Sequence, residues 1–341
     1  MTAAGASHPV SAPRAILLHD LQHFPDDTID PSALYRLVLD QAAFADEHRF
    51  AAVTFPEHHG TAHGYLPSPR MMAAAVAGRT AHLGLSLAAV VLPLHDALHV
   101  AEDIAVLDLV SGGRVDLVLG AGYVPQEFEM FGADLDRRAA ALEAGVLVLR
   151  RAWTGEPFEH RGVQVHISPR PVQQPLPIAL GGSSHGAARR AARIADTFRP
   201  TSPEFWETFR TECVTLGRPD PGDAPRSGPF VFHVADDPDR AREEIGAALV
   251  RGANQYLELA AIASGTPAFA VSGVEELETF GMVRITDPDG AVALCSELGA
   301  PSTVVLQPRF GGIPVDAGWS SLELFATKVL PRIGTEREDH A

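Results

Sequence analysis

The sequence predicts an α/β fold, a TIM-type (β/α)8 barrel with an insertion between strands seven and eight. Three observations predict it. From Arg14 onward, short apolar runs alternate with longer helix-period segments, the order of successive βα units and a parallel sheet. "LGLSLAAVVL" is a continuous apolar run, as expected of a parallel strand covered on both faces. Eight such strands can be counted, which suits a closed barrel better than an open doubly wound sheet.

"RAILLHD" reads as strand one. "PSALYRLVLDQAAFADEH" follows as a helix with Pro31 at its start, and "FAAVTF" as strand two. A helix through "SPRMMAAAVAGRT" leads into strand three, "LGLSLAAVVL". Val100, Ile104, Leu107 and Val110 then recur at spacings of four and three, and Gly112 with Gly113 ends that helix before strand four, "RVDLVLGAG". A helix near residues 135 to 152 precedes "PIALGG" as strand five, "HGAARRAARIA" as helix five and "DTFRP" as strand six. After a helix at "PEFWETFRTECVTLG" come "GPFVFHVA" as strand seven, "PSTVVLQP" as strand eight and "WSSLELFATKVLPRI" as the closing helix.

The 341 residues therefore divide into a disordered tail at 1–13, small and polar, and one barrel domain at 14–335. The surplus length at about 236–286 is the insertion, and "GANQYLELAAIASGTPAFAVSG" within it reads as a lid or inserted subregion. Hydrophobic residues at 46% and charged residues at 21% are ordinary for a soluble globular chain. A net charge of -16 without a lysine-rich block would repel a phosphate backbone, so nucleic acid is an unsuitable partner. No apolar run reaches membrane-spanning length. Two distant cysteines, Cys213 and Cys295, make neither a disulfide framework nor a structural zinc motif, which fits a reducing cytoplasm.

In a barrel the chemistry belongs to the loops at the carboxyl ends of the strands. Those loops are "HDLQH", "PEHHG", "PLHDALH", "GAGYVPQEF" and "GGSSHG". His19, His23, His58, His59, His95 and His99 crowd there, yet the spacings lack the His-x-His pair of barrel metallohydrolases. Neighbouring His58 and His59 should also diverge at a strand end, so no metal is expected. Of the two catalytic candidates, His58 suits proton transfer, because an imidazole titrates near neutrality, whereas Glu57 suits orienting a histidine or tying the loop better than acting as the base. Gly120 and Gly122 let a flat ligand approach the backbone, beside Tyr123. Gly182, Ser183 and Ser184 stand between a strand and a helix, where backbone N–H groups and hydroxyls favour an anion, although either serine alone serves equally as a helix cap. Glu127, in "QEF", reads as a rim or structural acid.

Taken together, "EHH", "HVAEDIAVLDLVSGGRVDLVLGAGYVPQEFEMFGAD" and "LGGSS" resemble the bacterial luciferase-like flavin-dependent monooxygenases. The resemblance spans "AILLHD" to "SLELFATKVLPRI". It implies a reduced FMN that reacts with O2 through a C4a-peroxyflavin to oxygenate a small organic substrate. His58 would manage protons there, and a cis peptide between Ala88 and Ala89 would lie beside the ring. Gly120, Gly122 and Tyr123 would line the ring or substrate pocket, with Gly182, Ser183 and Ser184 at the phosphate. It further implies a separate, transient flavin reductase and a homodimer; the helices at "MMAAAVAG" and "DIAVLDLV" offer apolar faces for one, which core packing explains equally well. Light-emitting members carry a cysteine and an arginine where this chain has Gly120 and Ala121, so light emission is not expected and another group must meet the phosphate. Alternatives are deazaflavin F420 on the same barrel, a flavin-binding protein without turnover, and a metal hydrolase.

Overall fold

The computed structural model describes residues 12–333. All but the last two residues of the tail expected at 1–13, and the last two of the domain expected at 14–335, lie outside the described residues. The chain opens with β1 (Arg14–Leu18), α1 (Pro31–Glu47), β2 (Ala52–Phe55), α2 (Pro69–Ala77), β3 (Gly84–Val91), α3 (Ala97–Ser111) and β4 (Val115–Gly120). Next come α4 (Pro125–Phe131), α5 (Arg138–Ala152), the strands β5 (Phe158–His160) and β6 (Val163–Val165), β7 (Ile178–Gly182), α6 (His185–Ile194), β8 (Thr197–Pro200) and α7 (Pro203–Thr215). The last third holds β9 (Arg226–Ser227), β10 (Val231–Val234), α8 (Pro238–Ser264), α9 (Val274–Thr279), β11 (Val283–Thr286), α10 (Pro288–Leu298), β12 (Ser302–Leu306), α11 (Val315–Leu324) and α12 (Leu330–Ile333). A π-helical turn, Phe325–Val329, joins the last two helices.

Local chemistry sets several of these boundaries. Asp30 caps α1 by accepting from the Ala33 N–H at 3.0 Å, with Pro31 fixing the first helical φ. Asp96 accepts from the Leu98 N–H at 2.9 Å to start α3, and Gly112 ends it in the left-handed region at φ 70°.

β8-β7-β4-β3-β2-β1-β12-β9 is the order of an eight-stranded, all-parallel sheet. The first strand pairs with β12, near the chain's end, in register Ile16↔Val305, so the sheet curls as barrel-type sheets do. Leu85, Leu87, Leu117, Leu119, Ile178 and Leu180 are buried in one core with helix residues such as Val76, Ile104 and Leu149. Each contributes about 1.5–3 kcal/mol by leaving water.

The expected strand seven is corrected. Its core residues form β10, but β10 pairs with β11 in a separate two-stranded parallel sheet, Val231↔Val283 to Val234↔Thr286. β11 lies inside the stretch taken as insertion. The eighth place in the main sheet goes to the two-residue β9, along β12. Apolar content marks a strand, but the partner it chooses is a nonlocal matter that "VFHV" does not encode.

The helix expected near 135–152 is α5, and the short α4 ahead of it, Pro125–Phe131, was not expected. An antiparallel hairpin, β5 with β6, was also not foreseen; its turn carries Arg161 at φ 51° and Gly162 at φ 79°, a tight-turn geometry for which "RG" was the available signal. The stretch read as a lid or inserted subregion is mostly the second half of the 27-residue α8. α8, α9, β10 and β11 enclose a second core of Ile245, Leu249, Leu277, Val283 and Ile285, closed by Phe310 and Ile313. Gly252 of α8 has no room for a side chain, because a Cβ would stand 2.7 Å from the Phe310 ring and 2.9 Å from the Gly311 Cα. That close approach brings Tyr256, one turn later, against the loops after β1 and β2.

Candidate functional site

In the loop after β2 the side chains of Glu57 and His59 turn to one cluster and that of His58 to another. In the first, Glu57 Oε1 meets His59 Nε2 at 2.9 Å and His95 Nε2 at 2.6 Å, while Oε2 accepts from the Val91 N–H at 2.8 Å. Burial alone would raise this carboxyl, but the hydrogen bonds of His59, His95 and Val91 outweigh it and hold Glu57 at about 2. Arg70 reaches His95 Nδ1 at 3.2 Å and pairs with Asp103 at 2.9 Å. A guanidinium can only donate, so His95 accepts at Nδ1 and donates from Nε2.

In the second cluster His58 Nδ1 meets Glu127 Oε1 at 2.8 Å, and the same oxygen accepts from the His59 N–H at 2.9 Å. The carboxylate thus fixes the ring so that Nε2 faces away from it, 3.4 Å from the Tyr123 hydroxyl. Tyr65 packs edge-on against the His58 ring, with centroids 4.8 Å apart. Glu127 is 2% exposed, and its other oxygen, Oε2, has no partner among the described residues. Tyr123 is pushed up to about 12, by burial and then by the Glu127 charge, so its hydroxyl keeps its proton. Glu57 and His58, adjacent in sequence, therefore do not share a hydrogen bond.

Small residues lie beside these clusters. The Ala88-Ala89 peptide is cis, and the β3–β4 register shifts between Ala88 and Val90. A Cβ on Gly120 would stand 3.3 Å from Ala89 Cβ, and one on Gly181 would stand 3.9 Å from it. Towards their carboxyl ends β3, β4 and β7 thus share a floor of small residues. Gly122 sits at φ 74° with a Cβ position 2.6 Å from Val91 and 2.8 Å from the Phe128 ring, so backbone conformation and packing both require glycine there. Gly182 has a packing reason of its own, since its Cβ would strike Ala187 of α6. Ser184 caps α6, its hydroxyl accepting from the Ala187 N–H at 3.2 Å. Ser183 is exposed and its side chain makes no hydrogen bond among the described residues.

The six crowded histidines do not converge. His19 is buried, and burial lowers it to about 3, so it stays neutral. His23 contacts the Ile29 carbonyl and His99 is exposed. Glu57, His59 and His95 alone bring potential ligand atoms within 4.8 Å of one another among the described residues. Their spacing of 2.6 and 2.9 Å is that of N–H donors on a carboxylate, which satisfies all three without an ion. Sequence reading missed Glu127 as the partner of His58, 69 residues away in sequence; an acid five residues after the Gly122 turn was the only signal. It also missed Arg70 behind His95, and Asp20 with Tyr65 and Tyr256. Both cysteines are free and buried. No helix among the described residues is long and apolar enough to cross a membrane.

A curled parallel α/β sheet with an acid-held imidazole beyond its carboxyl edge defines a barrel-type scaffold. The luciferase-like monooxygenase family model matches residues 18–278, and the chain belongs to that family. The uncharacterised protein y4vJ of Sinorhizobium fredii is 31% identical over 48% of this chain and 48% of its own. A second, y4wF of the same organism, is 34% identical over 49% and 52%. The chain thus spans about half the length of these curated relatives. Limonene 1,2-monooxygenase of Rhodococcus erythropolis is 25% identical over 86% of this chain and 80% of that one. Three solved structures share the fold. Monooxygenase RslO1 of Streptomyces bottropensis has TM-score 0.75, 23% identity and coverage of 94% and 100%. The oxygenating constituent of 3,6-diketocamphane monooxygenase of Pseudomonas putida, in complex with FMN, has TM-score 0.72, 19% identity and coverage of 95% and 100%. An F420-dependent secondary alcohol dehydrogenase has TM-score 0.66, 16% identity and coverage of 95% and 99%.

Proposed function

We propose that the chain is the oxygenating component of a flavin-dependent monooxygenase, using reduced FMN and O2 to oxidise a small organic substrate. The observation that carries this reading is the His58–Glu127 pair, with Nε2 directed at Tyr123, beside a floor of residues too small to fill it. A planar ring fits that floor, and the strands would complete a (β/α)8 barrel around it, with β10, β11, α8 and α9 as a side wall from the stretch between strands seven and eight.

Ala88, Ala89, Gly120 and Gly122 would hold the ring, with Gly122 setting the turn that aims Tyr123. Gly182, Ser183 and Ser184 would meet the phosphate at the amino end of α6, where backbone N–H groups and the helix dipole favour an anion. Ser183 has its hydroxyl to give, whereas that of Ser184 already caps the helix. When bound, reduced FMN supplies the activation of O2. The chain's own contribution is to bind and orient, and to move a proton at His58 Nε2. Glu127 holds the tautomer with Nδ1 protonated, leaving Nε2 as the exchanging nitrogen, the division of labour seen wherever a carboxylate orients a catalytic imidazole. Glu57, saturated by three donors, holds the loop between β2 and the end of β3 and so positions His58 without exchanging a proton itself.

No Gly-rich dinucleotide motif stands in the sequence, and the diketocamphane relative in fold is the oxygenating constituent of its monooxygenase. A separate reductase supplying the reduced flavin is therefore part of the proposal. So is a homodimer, supported by exposed Met71 of α2 and Val106, Leu109 and Val110 of α3; light scattering should give twice the 36.3 kDa chain mass. The fold likeness to an F420-dependent dehydrogenase makes F420 the second reading. Oxygen uptake with photoreduced FMN, against F420H2, over a panel of ketones, aldehydes and terpenes separates the two. Substrate-dependent product with FMN supports the proposal, and His58→Ala should lower its yield by about 10²- to 10⁴-fold. Turnover with F420H2 alone would replace it.

A further inference from the structure

The loop after β1 carries a buried acid that the proposed chemistry does not use. Asp20 is 4% exposed. Its partners are neutral: the Gln22 N–H at 3.2 Å, the Gln22 amide at 3.0 Å and the Tyr256 hydroxyl at 3.3 Å. Tyr256 in turn lies 2.8 Å, oxygen to oxygen, from Tyr65. Tyr65 is the residue whose ring stands edge-on to His58. Three hydroxyl-bearing or acidic groups from three separate segments, the β1 loop, the β2 loop and α8, thus form one chain, and the ring of its last member packs against the imidazole.

Donor bookkeeping gives this chain two states. An ionised Asp20 only accepts, so Tyr256 donates to it and Tyr65 must donate to Tyr256; the Tyr65 oxygen then offers only lone pairs to anything else. A protonated Asp20 can donate to Tyr256, which then donates to Tyr65, and the Tyr65 O–H is released to point elsewhere. Only hydrogens rotate. Burial raises Asp20 to about 6, against the pull of Gln22 and Tyr256, which brings both states within an ordinary working range. Behind Asp20, a cavity of about 10 Å³, room for a single water, is lined also by His19, Gln307 and Arg309. His19 Nε2 and Gln307 Oε1 are buried there without a partner among the described residues.

Other ionisable groups stand around the chain, Glu258 of α8 beside His63 among them. His19 is kept neutral by burial. Arg309 is paired with Asp27 at 3.0 Å. His58 and His63 come from the β2 loop, and Tyr123 and Glu127 face Tyr65 from beyond β4. Tyr65 and Tyr256 are themselves raised well above an ordinary phenol by burial, so neither ionises in this range.

We propose that Asp20 is a positioning residue of the site: acting through Tyr256 and Tyr65, its protonation state decides whether Tyr65 presents a hydrogen-bond donor or only an acceptor on the His58 side. This rests on the reading of His58 as the proton-handling group. Below the Asp20 transition the site gains a donor suited to a substrate oxygen; above it the donor is withdrawn.

Two variants test this. Asp20→Asn keeps shape and an acceptor for Tyr256 but cannot ionise, and Tyr256→Phe keeps the ring packed on Phe230 and Phe310 while cutting the chain. First, infrared difference spectra of the flavin-free protein should show a protonated carboxyl band growing in below pH 6, absent from Asp20→Asn. Second, the ratio of product yield at pH 5 to that at pH 8 should change by about tenfold between wild type and either variant, the two variants agreeing. A band that survives in Asp20→Asn, or pH profiles of both variants that overlay the wild type, overturns the proposal. If the wild type binds no flavin while the infrared titration appears as expected, the functional reading fails and the acid's transition stands.

Discussion

Replacing Glu57 by glutamine tests the first histidine cluster in numbers. The carboxyl is held at about 2 against an ordinary 4.5, although it is almost wholly buried. That difference corresponds to about 3 kcal/mol of stability at neutral pH, since each pKa unit is about 1.4 kcal/mol. Glutamine has the same shape but must point an N–H2 group at a donor, either at Val91 N–H or at the histidine Nε2–H groups. Because the folded value is depressed, the stabilisation is complete above about pH 4.5 and is lost as the pH falls through about 2. Equilibrium urea unfolding, followed by the fluorescence of Trp153, Trp206 and Trp319, should show Glu57→Gln less stable by about 3 kcal/mol at pH 7 and by about 1 kcal/mol at pH 3. A variant within 0.5 kcal/mol of wild type at pH 7, roughly the size of a neutral surface change, would refute the reasoning. So would a deficit of equal size at both pH values, since it would owe nothing to the charge.

Other expectations follow from single contacts. Ser184→Ala should cost about 1 kcal/mol of stability through loss of the α6 cap, whereas Ser183→Ala should leave urea midpoints unchanged and weaken FMN alone; equal effects on both readouts would remove the division between the two serines. Gly122→Ala forces a side chain into the left-handed region and against Val91 and Phe128, so it should lower stability by about 2 kcal/mol in the same unfolding assay. An unchanged midpoint would mean the turn re-forms freely. Glu127→Ala leaves His58 Nδ1 and the His59 N–H without their acceptor, and should reduce product yield to within a few fold of His58→Ala; full activity would show that the imidazole needs no carboxylate.

Much of this molecule is legible from its sequence because the signals are local. Alternation, caps and helix stops placed β1 to β4, β7, β8, β12 and most helices from neighbours a few residues apart. His58 and His59, adjacent in sequence, diverge as expected, and "GGSS" at a strand-to-helix turn sits where α6 begins. What could not be read depends on partners distant along the chain. β10 looks like any apolar strand, and only packing against α8 and Phe310 decides that it pairs with β11. Glu127 looks like a rim acid until α4 turns it back on His58. Asp20, Tyr65 and Tyr256 are unremarkable singly, since their meaning arises where α8, in the stretch expected as a lid or inserted subregion, lies across two loops. A shared acceptor or a hydroxyl chain leaves no periodicity behind.

The central claim is that a flat flavin ring lies on the small-residue floor beside His58. A fluorescence titration of FMN with the wild-type chain and with a folded Gly181→Trp variant tests it most directly. Saturable quenching by the wild type, abolished or weakened at least tenfold when the indole fills the floor, is the predicted result. Quenching that the tryptophan leaves unchanged, or none from either protein, would contradict it.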